Sequence, residues 1–230
     1  MAPSSCLISS VFPLSEGSCN ADPSYYATYL SALKFTGDEN FINVSVCKYT
    51  ASIDNLYVDN SFIFMVTKAA LPAGGDGMLD SIHCVPFISP LGGFQLCYPP
   101  EPTHTAFVTG TINGVDNSES TQSFTLTTSE YVRDEWCTFN IQYVSPISAF
   151  FLSLTSLHPS FKFDGTSNCW KNVWLPAIGS TILATGIFRE ISNHGHGEPI
   201  LSLLDMSYGP SETAVSSPTC TIGHRHKVER

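Results

Sequence analysis

The chain has 230 residues, of which 43% are hydrophobic and 13% charged, with 10 Lys plus Arg against 20 Asp plus Glu and a formal net charge of −10. That length buries one large core or two small ones. A net negative charge opposes phosphate backbones at long range, so a nucleic-acid ligand would require a local Lys/Arg groove.

In chain order, residues 1–40 combine Ser, Pro and Asn and are expected to be partly ordered, with one short helix around Tyr25 to Leu33. The start, MAPSSCLISSVFPLSEG, has no basic residues, and its short apolar stretch is broken by serines and Pro13, which argues against a signal peptide. No run is long and apolar enough to cross a bilayer. The expectation is an intracellular protein, nuclear or cytoplasmic, with reduced thiols. The eight cysteines at 6, 19, 47, 84, 97, 137, 169 and 220 form no CxxC pair, which removes zinc-ribbon and thioredoxin-like motifs.

From Phe41 the texture changes. INVSVCKYTASI, NLYVDNSFIFMVTKAAL and MLDSIHCVPFISPL alternate loosely and are rich in Val, Ile and Phe, which favours strands, and PAGGDG breaks the last two apart. Residues 41–98 read as a β-rich N-terminal domain, either a reduced barrel or strands that extend the next one. The proline-rich CYPPEPTH, Cys97 to His104, is an extended connector and marks the domain boundary.

The second half is more regular. Thr105 to Val115, Gln122 to Thr128 and Trp136 to Val144 alternate and are separated by the polar turns DNSES and EYVRDE, a meander. An excursion from Ser145 to Val173 can hold a helix, and LPAIGSTILATGIFRE and EPILSLLDMSYGP then supply two closing strands. Three strands, an excursion and two strands follow the order of a five-stranded Greek-key barrel of the OB type. The expected class is therefore all-β with minor α: an OB-type barrel over residues 104–210, alone or as one of two in tandem. Residues 211–230 read as a disordered tail.

Catalytic and metal motifs are weak. His194-Gly195-His196 and His224-Arg225-His226 each supply at most two ligands, short of the three or four a metal site needs. There is no G-x-S-x-G, and Gly74-Gly75-Asp76-Gly77 lacks the Lys-Ser/Thr of a phosphate loop. Asp134 and Glu135 read as a solvated turn rather than an acid/base pair. No catalytic residue, metal ligand or cofactor is assigned, and an enzyme is not expected.

The remaining candidate is a strand face. Side-chain parity sends Cys137, Phe139, Ile141 and Tyr143 inward and leaves Trp136, Thr138, Asn140 and Gln142 outside. By the same parity Phe124, Leu126, Val108 and Ile112 point in, while Ser123 and Phe107 point out. An outward face of hydroxyls and amides with Phe107 and Trp136 suits a stacking platform for single-stranded nucleic acid, and it also suits an ordinary strand face covered by the N-terminal half. Arg133, Lys162 and Lys171 are the cations placed to meet phosphates, with Arg189 nearby. Trp170 and Trp174, in the excursion, either anchor that loop or form a patch for a protein partner. A protein-interaction module is thus the alternative reading. A secreted lectin-like protein is a third, resting on the even cysteines and the sequon Asn43-Val44-Ser45.

HTAFVTGTINGVDNSESTQSFTLTTSEYVRDEWCTFNIQYV, LPAIGSTILATGIFREI and PILSLLDMSYG resemble a group of uncharacterised fungal OB-fold-like proteins and, more distantly, the OB domains of replication protein A. The similarity runs from Thr105 to Tyr208, with a weaker match over Phe41 to Phe87. It rests on Gly in the first strand, a Pro-x-x-Gly entry before the fourth and Gly186 within it, where barrels bend. The resemblance implies single-strand binding through aromatics on the second and third strands, where Trp136 matches; the acidic charge departs from the pattern.

Overall fold

The structure, a computed structural model, describes residues 4–19, 26–35, 41–50, 56–87, 103–118, 121–144, 175–191 and 197–209. These residues form ten strands and no helix. The first five are β1 (Ser5–Cys19), β2 (Tyr26–Lys34), β3 (Phe41–Tyr49), β4 (Ser61–Ala70) and β5 (Gly77–Pro86). β1 pairs antiparallel with β4 along Leu7 to Leu14 and with β2 near its end, β2 pairs with β3, β3 runs parallel to β5, and β5 returns to β4. The circuit closes as 1-2-3-5-4-1, the Greek-key order of an OB barrel.

β6 (Thr105–Ser118), β7 (Thr121–Val132), β8 (Glu135–Val144), β9 (Thr181–Ile191) and β10 (Pro199–Tyr208) repeat that circuit. β8 and β10 are parallel, and β9 closes onto β6. The fold is all-β and of the OB type, and the strand circuit occurs twice in tandem. Ser5 to Ser9 of β1 also pair antiparallel with Thr105 to Thr109 of β6, which joins the two circuits in one ten-stranded sheet.

Period-two patterning explains the interiors. Ile8, Phe12, Tyr29, Val46, Met65 and Leu79 are buried in the first barrel, and Val108, Ile112, Leu126, Ile141, Tyr143 and Phe188 in the second. Each such side chain contributes about 1.5–3 kcal/mol of burial free energy. Gly110 and Gly186 let strands approach closely: a Cβ at 110 would lie 2.5 Å from the Thr127 carbonyl oxygen, and one at 186 would lie 2.8 Å from Tyr143 Cε1.

One expectation is corrected. The stretch read as a helix around Tyr25 to Leu33 is strand β2, with Ala27, Tyr29 and Leu33 buried on one side. Its Ala and Leu favour helix, but nine consecutive cross-strand partners on β3 outweigh that local preference. β1 and β2 both lie within the first forty residues, and without β1 the first circuit could not close. The excursion, the proline-rich segment through Pro102 and the tail lie outside the described residues, as do Lys162, Trp170, Lys171, Trp174 and the histidines at 194, 196, 224 and 226.

Candidate nucleic-acid interface

β7 and β8 are joined by a two-residue turn, Arg133–Asp134, both at positive φ (50° and 63°), so Val132 faces Glu135 and the hairpin keeps one register throughout. The outward residues meet as the pairs Tyr131–Trp136, Ser129–Thr138, Thr127–Asn140 and Thr125–Gln142. At the turn end the Tyr131 and Trp136 rings lie 5.5 Å apart at 59°, and Trp136 is 70% exposed and Tyr131 40%. The pair leaves a large aromatic surface in water at the end of the hairpin.

The rest of this face is polar and already ordered. Ser129 and Thr138 share a hydroxyl hydrogen bond of 2.7 Å. Asn140 Oδ1 accepts from Thr127 Oγ1 (2.9 Å) and Asn113 Nδ2 (3.1 Å), while its Nδ2 donates to Glu198 Oε1 (3.0 Å). Asn140 is thus held by three side-chain hydrogen bonds, which order the middle of this face. Ser123, read as outward, is buried and accepts from Gln142 Nε2 at 3.2 Å.

Phe107 and Trp136 do not come together as a cross-strand pair. The first half of β6 pairs with β1 and β9 and only its second half with β7, so Phe107, 41% exposed, sits between Leu7 and Thr185. Arg133 is turned toward the first barrel. Its Nη2 donates to the carbonyl oxygen and Oγ of Ser45 (2.8 and 2.7 Å), its backbone N–H donates to Asp80 Oδ2 (2.9 Å), and its Nε is 3.9 Å from Asp80 Oδ1. Arg133 therefore clasps the two barrels through Nη2 and its backbone N–H.

Beside this clasp lies a cleft of about 530 Å³ lined by both barrels. Tyr26, Thr28, Cys47 and Tyr49 come from the outward face of β2–β3, Lys68 from β4, Asp80 and Ser81 from β5, and Tyr131, Arg133 and Asp134 from the β7–β8 turn. Tyr26 faces Tyr49 across the strands, their rings edge to face at 6.0 Å, with exposures of 51% and 60%. β2–β3 and β7–β8 occupy equivalent places in the two circuits, and each carries an outward aromatic pair. Sequence reasoning missed Tyr26 and Tyr49 because β2 read as helix, and missed Tyr131 because EYVRDE read as one long turn. A turn confined to Arg133–Asp134 would have set Tyr131 opposite Trp136.

Among the described residues, cations are few around these rings. Lys68 Nζ is 3.6 Å from Glu130 Oε1, and Lys48 lies 4.0 Å over the Tyr57 ring. Burial raises the Cys6 thiol and the Tyr143 phenol well above their usual ranges. Burial also lowers His104, at the joint before β6, to about 4. Among the described residues the five cysteines are free thiols, no group of three or more His, Cys, Asp or Glu is arranged to hold a metal ion, and no helix is long and apolar enough to cross a membrane.

No protein-family model matches the sequence, and no curated protein matches it. The fold is similar to solved structures of the single-stranded DNA binding protein from Thermus aquaticus. A deletion mutant of that protein superposes with TM-score 0.53 at 10% identity and the wild type with 0.50 at 11%; each match covers 94% of this chain and 100% of the other. At that identity the likeness is one of fold, a distant OB-type relationship that extends over both barrels.

Proposed function

We propose that the protein is a non-enzymatic binder of single-stranded nucleic acid, held mainly by stacking on the outward face of β7–β8. The observation that carries this reading is the Tyr131–Trp136 pair, exposed at the end of a stiff hairpin. Its place corresponds to the strands through which OB barrels bind oligonucleotides, and the similar solved structures are of a protein named for single-stranded DNA binding. Thr138 and Asn140 supply polar contacts beside the rings, and Lys162 and Lys171 are the proposed phosphate partners. Arg133 acts chiefly by positioning the hairpin. Phe107 would meet a strand only if it extended past β6. Trp170 and Trp174 remain the proposed patch for a protein partner.

The test is fluorescence anisotropy of labelled single-stranded and duplex oligonucleotides at several salt concentrations. Single strands are expected to bind in preference to duplex, because base faces are available for stacking only when unpaired. Trp136→Ala is expected to weaken binding by about 1–3 kcal/mol, roughly 5- to 150-fold. If Lys162 and Lys171 meet phosphates, the log–log salt slope is about −1.4, far shallower than for a basic groove. Equal binding of duplex, or no binding at low salt, would refute the reading.

A further inference from the structure

We propose that the cleft between the barrels is a second stacking site for the same single strand, so that the ligand passes from Trp136 around the β7–β8 turn onto Tyr26 and Tyr49. This rests on the reading above and extends it to a surface of the first barrel. Tyr131 belongs to both places: it packs on Trp136 at 5.5 Å and also lines the cleft that holds Tyr26 and Tyr49. A strand stacked on Trp136 therefore meets the cleft within one residue of protein surface.

The chemistry of the cleft suits bases more than phosphates. Three tyrosines supply ring faces and edges, Thr28 and Ser81 supply hydroxyls, and the two lining cations both already reach across the seam, Lys68 to Glu130 Oε1 at 3.6 Å and Arg133 to Ser45. The carboxylates of Asp80 and Asp134 line the same space, so a phosphate chain is not drawn in by charge. Stacking is sequence-tolerant because every base has a π-face, so at this cleft the tyrosine rings, rather than charge, supply the contacts.

The geometry is set before any ligand arrives. Arg133 crosses the seam to Ser45 and Asp80, and β1 pairs with β6, so the two aromatic pairs are held in one orientation. Two platforms in a fixed relation bind one continuous ligand with no cost for bringing the barrels together.

The experiment is a length series of oligothymidylates, from about 4 to about 30 nucleotides, bracketing the ~4–16 that one OB barrel covers. Wild type, Trp136→Ala and the double variant Tyr26→Ala/Tyr49→Ala are compared, with urea unfolding to verify that each is folded. For wild type, affinity is expected to climb until the oligonucleotide spans both platforms. In the Tyr26/Tyr49 variant the plateau should come at a shorter length, with roughly 10- to 100-fold weaker binding of the longest strands. If wild type binds and the double variant has the same plateau and affinity, the cleft is not a site, while the β7–β8 reading stands. If wild type binds no oligonucleotide, both readings fall.

Discussion

Lowering the pH should unlatch the joint between the barrels at His104. The imidazole is buried between the rings of Phe12 (5.4 Å) and Phe188 (6.5 Å), and its Nε2 accepts the Lys34 backbone N–H at 3.0 Å. That bond assigns the proton of the neutral ring to Nδ1, which has no hydrogen-bond partner among the described residues. Burial alone holds the group at about 4, against 6.5 in a solvated chain. The folded state thus favours the neutral ring, whereas the unfolded chain takes up a proton once the pH drops below 6.5. Stability from this group is complete above 6.5, falls as pH falls, and is fully lost below about 4. Across that window, at 1.36 kcal/mol per pH unit, the loss comes to about 3 kcal/mol, a large share of a typical domain's stability. Urea unfolding of wild type and His104→Gln between pH 7 and 4 isolates it, since Gln offers Lys34 an acceptor and does not titrate while every other group is shared. The wild-type curve should fall below the variant's trend by about 3 kcal/mol at the acid end. Parallel curves would refute the assignment of a buried, neutral imidazole.

Arg133→Ala removes two hydrogen bonds to Ser45 and a loose ion pair, both partly in water, so a loss of about 2 kcal/mol in urea unfolding is expected. Arg133→Gly should lose about 1 kcal/mol less, because glycine adopts the φ of 50° without strain; equal losses would mean that the turn is not strained. Gly110→Ala drives a methyl against the Thr127 carbonyl at 2.5 Å. A cost of about 3 kcal/mol, or roughly 6–12 °C in Tm, is expected, and an unchanged melting curve would show that β6 and β7 are not so closely apposed.

Much of the second barrel was legible from local pattern alone. Alternation placed Val108, Ile112, Phe124, Leu126, Phe139, Ile141 and Tyr143 inside and Trp136 outside, because a strand inverts its side chains at every residue whatever lies beyond it. The Greek-key order followed from three runs, a gap and two runs. The site was legible only in part: Trp136 was found, but its partner Tyr131 was hidden by a turn shorter than its charged sequence suggested.

Tertiary structure decided the rest. β2 is a strand because β3 pairs with it at every position, a gain in ladder bonds and packing that helix propensity cannot register. Parity also says which side chains face outward but not which outward side chains meet. Leu7 beside Phe107, Arg133 on Ser45, His104 under Lys34 and Tyr131 in one cleft with Tyr26 are encounters between distant parts of the chain. They arise only when two closed barrels share the β1–β6 ladder, since each side chain's position is then set by the register of strands far from it in sequence.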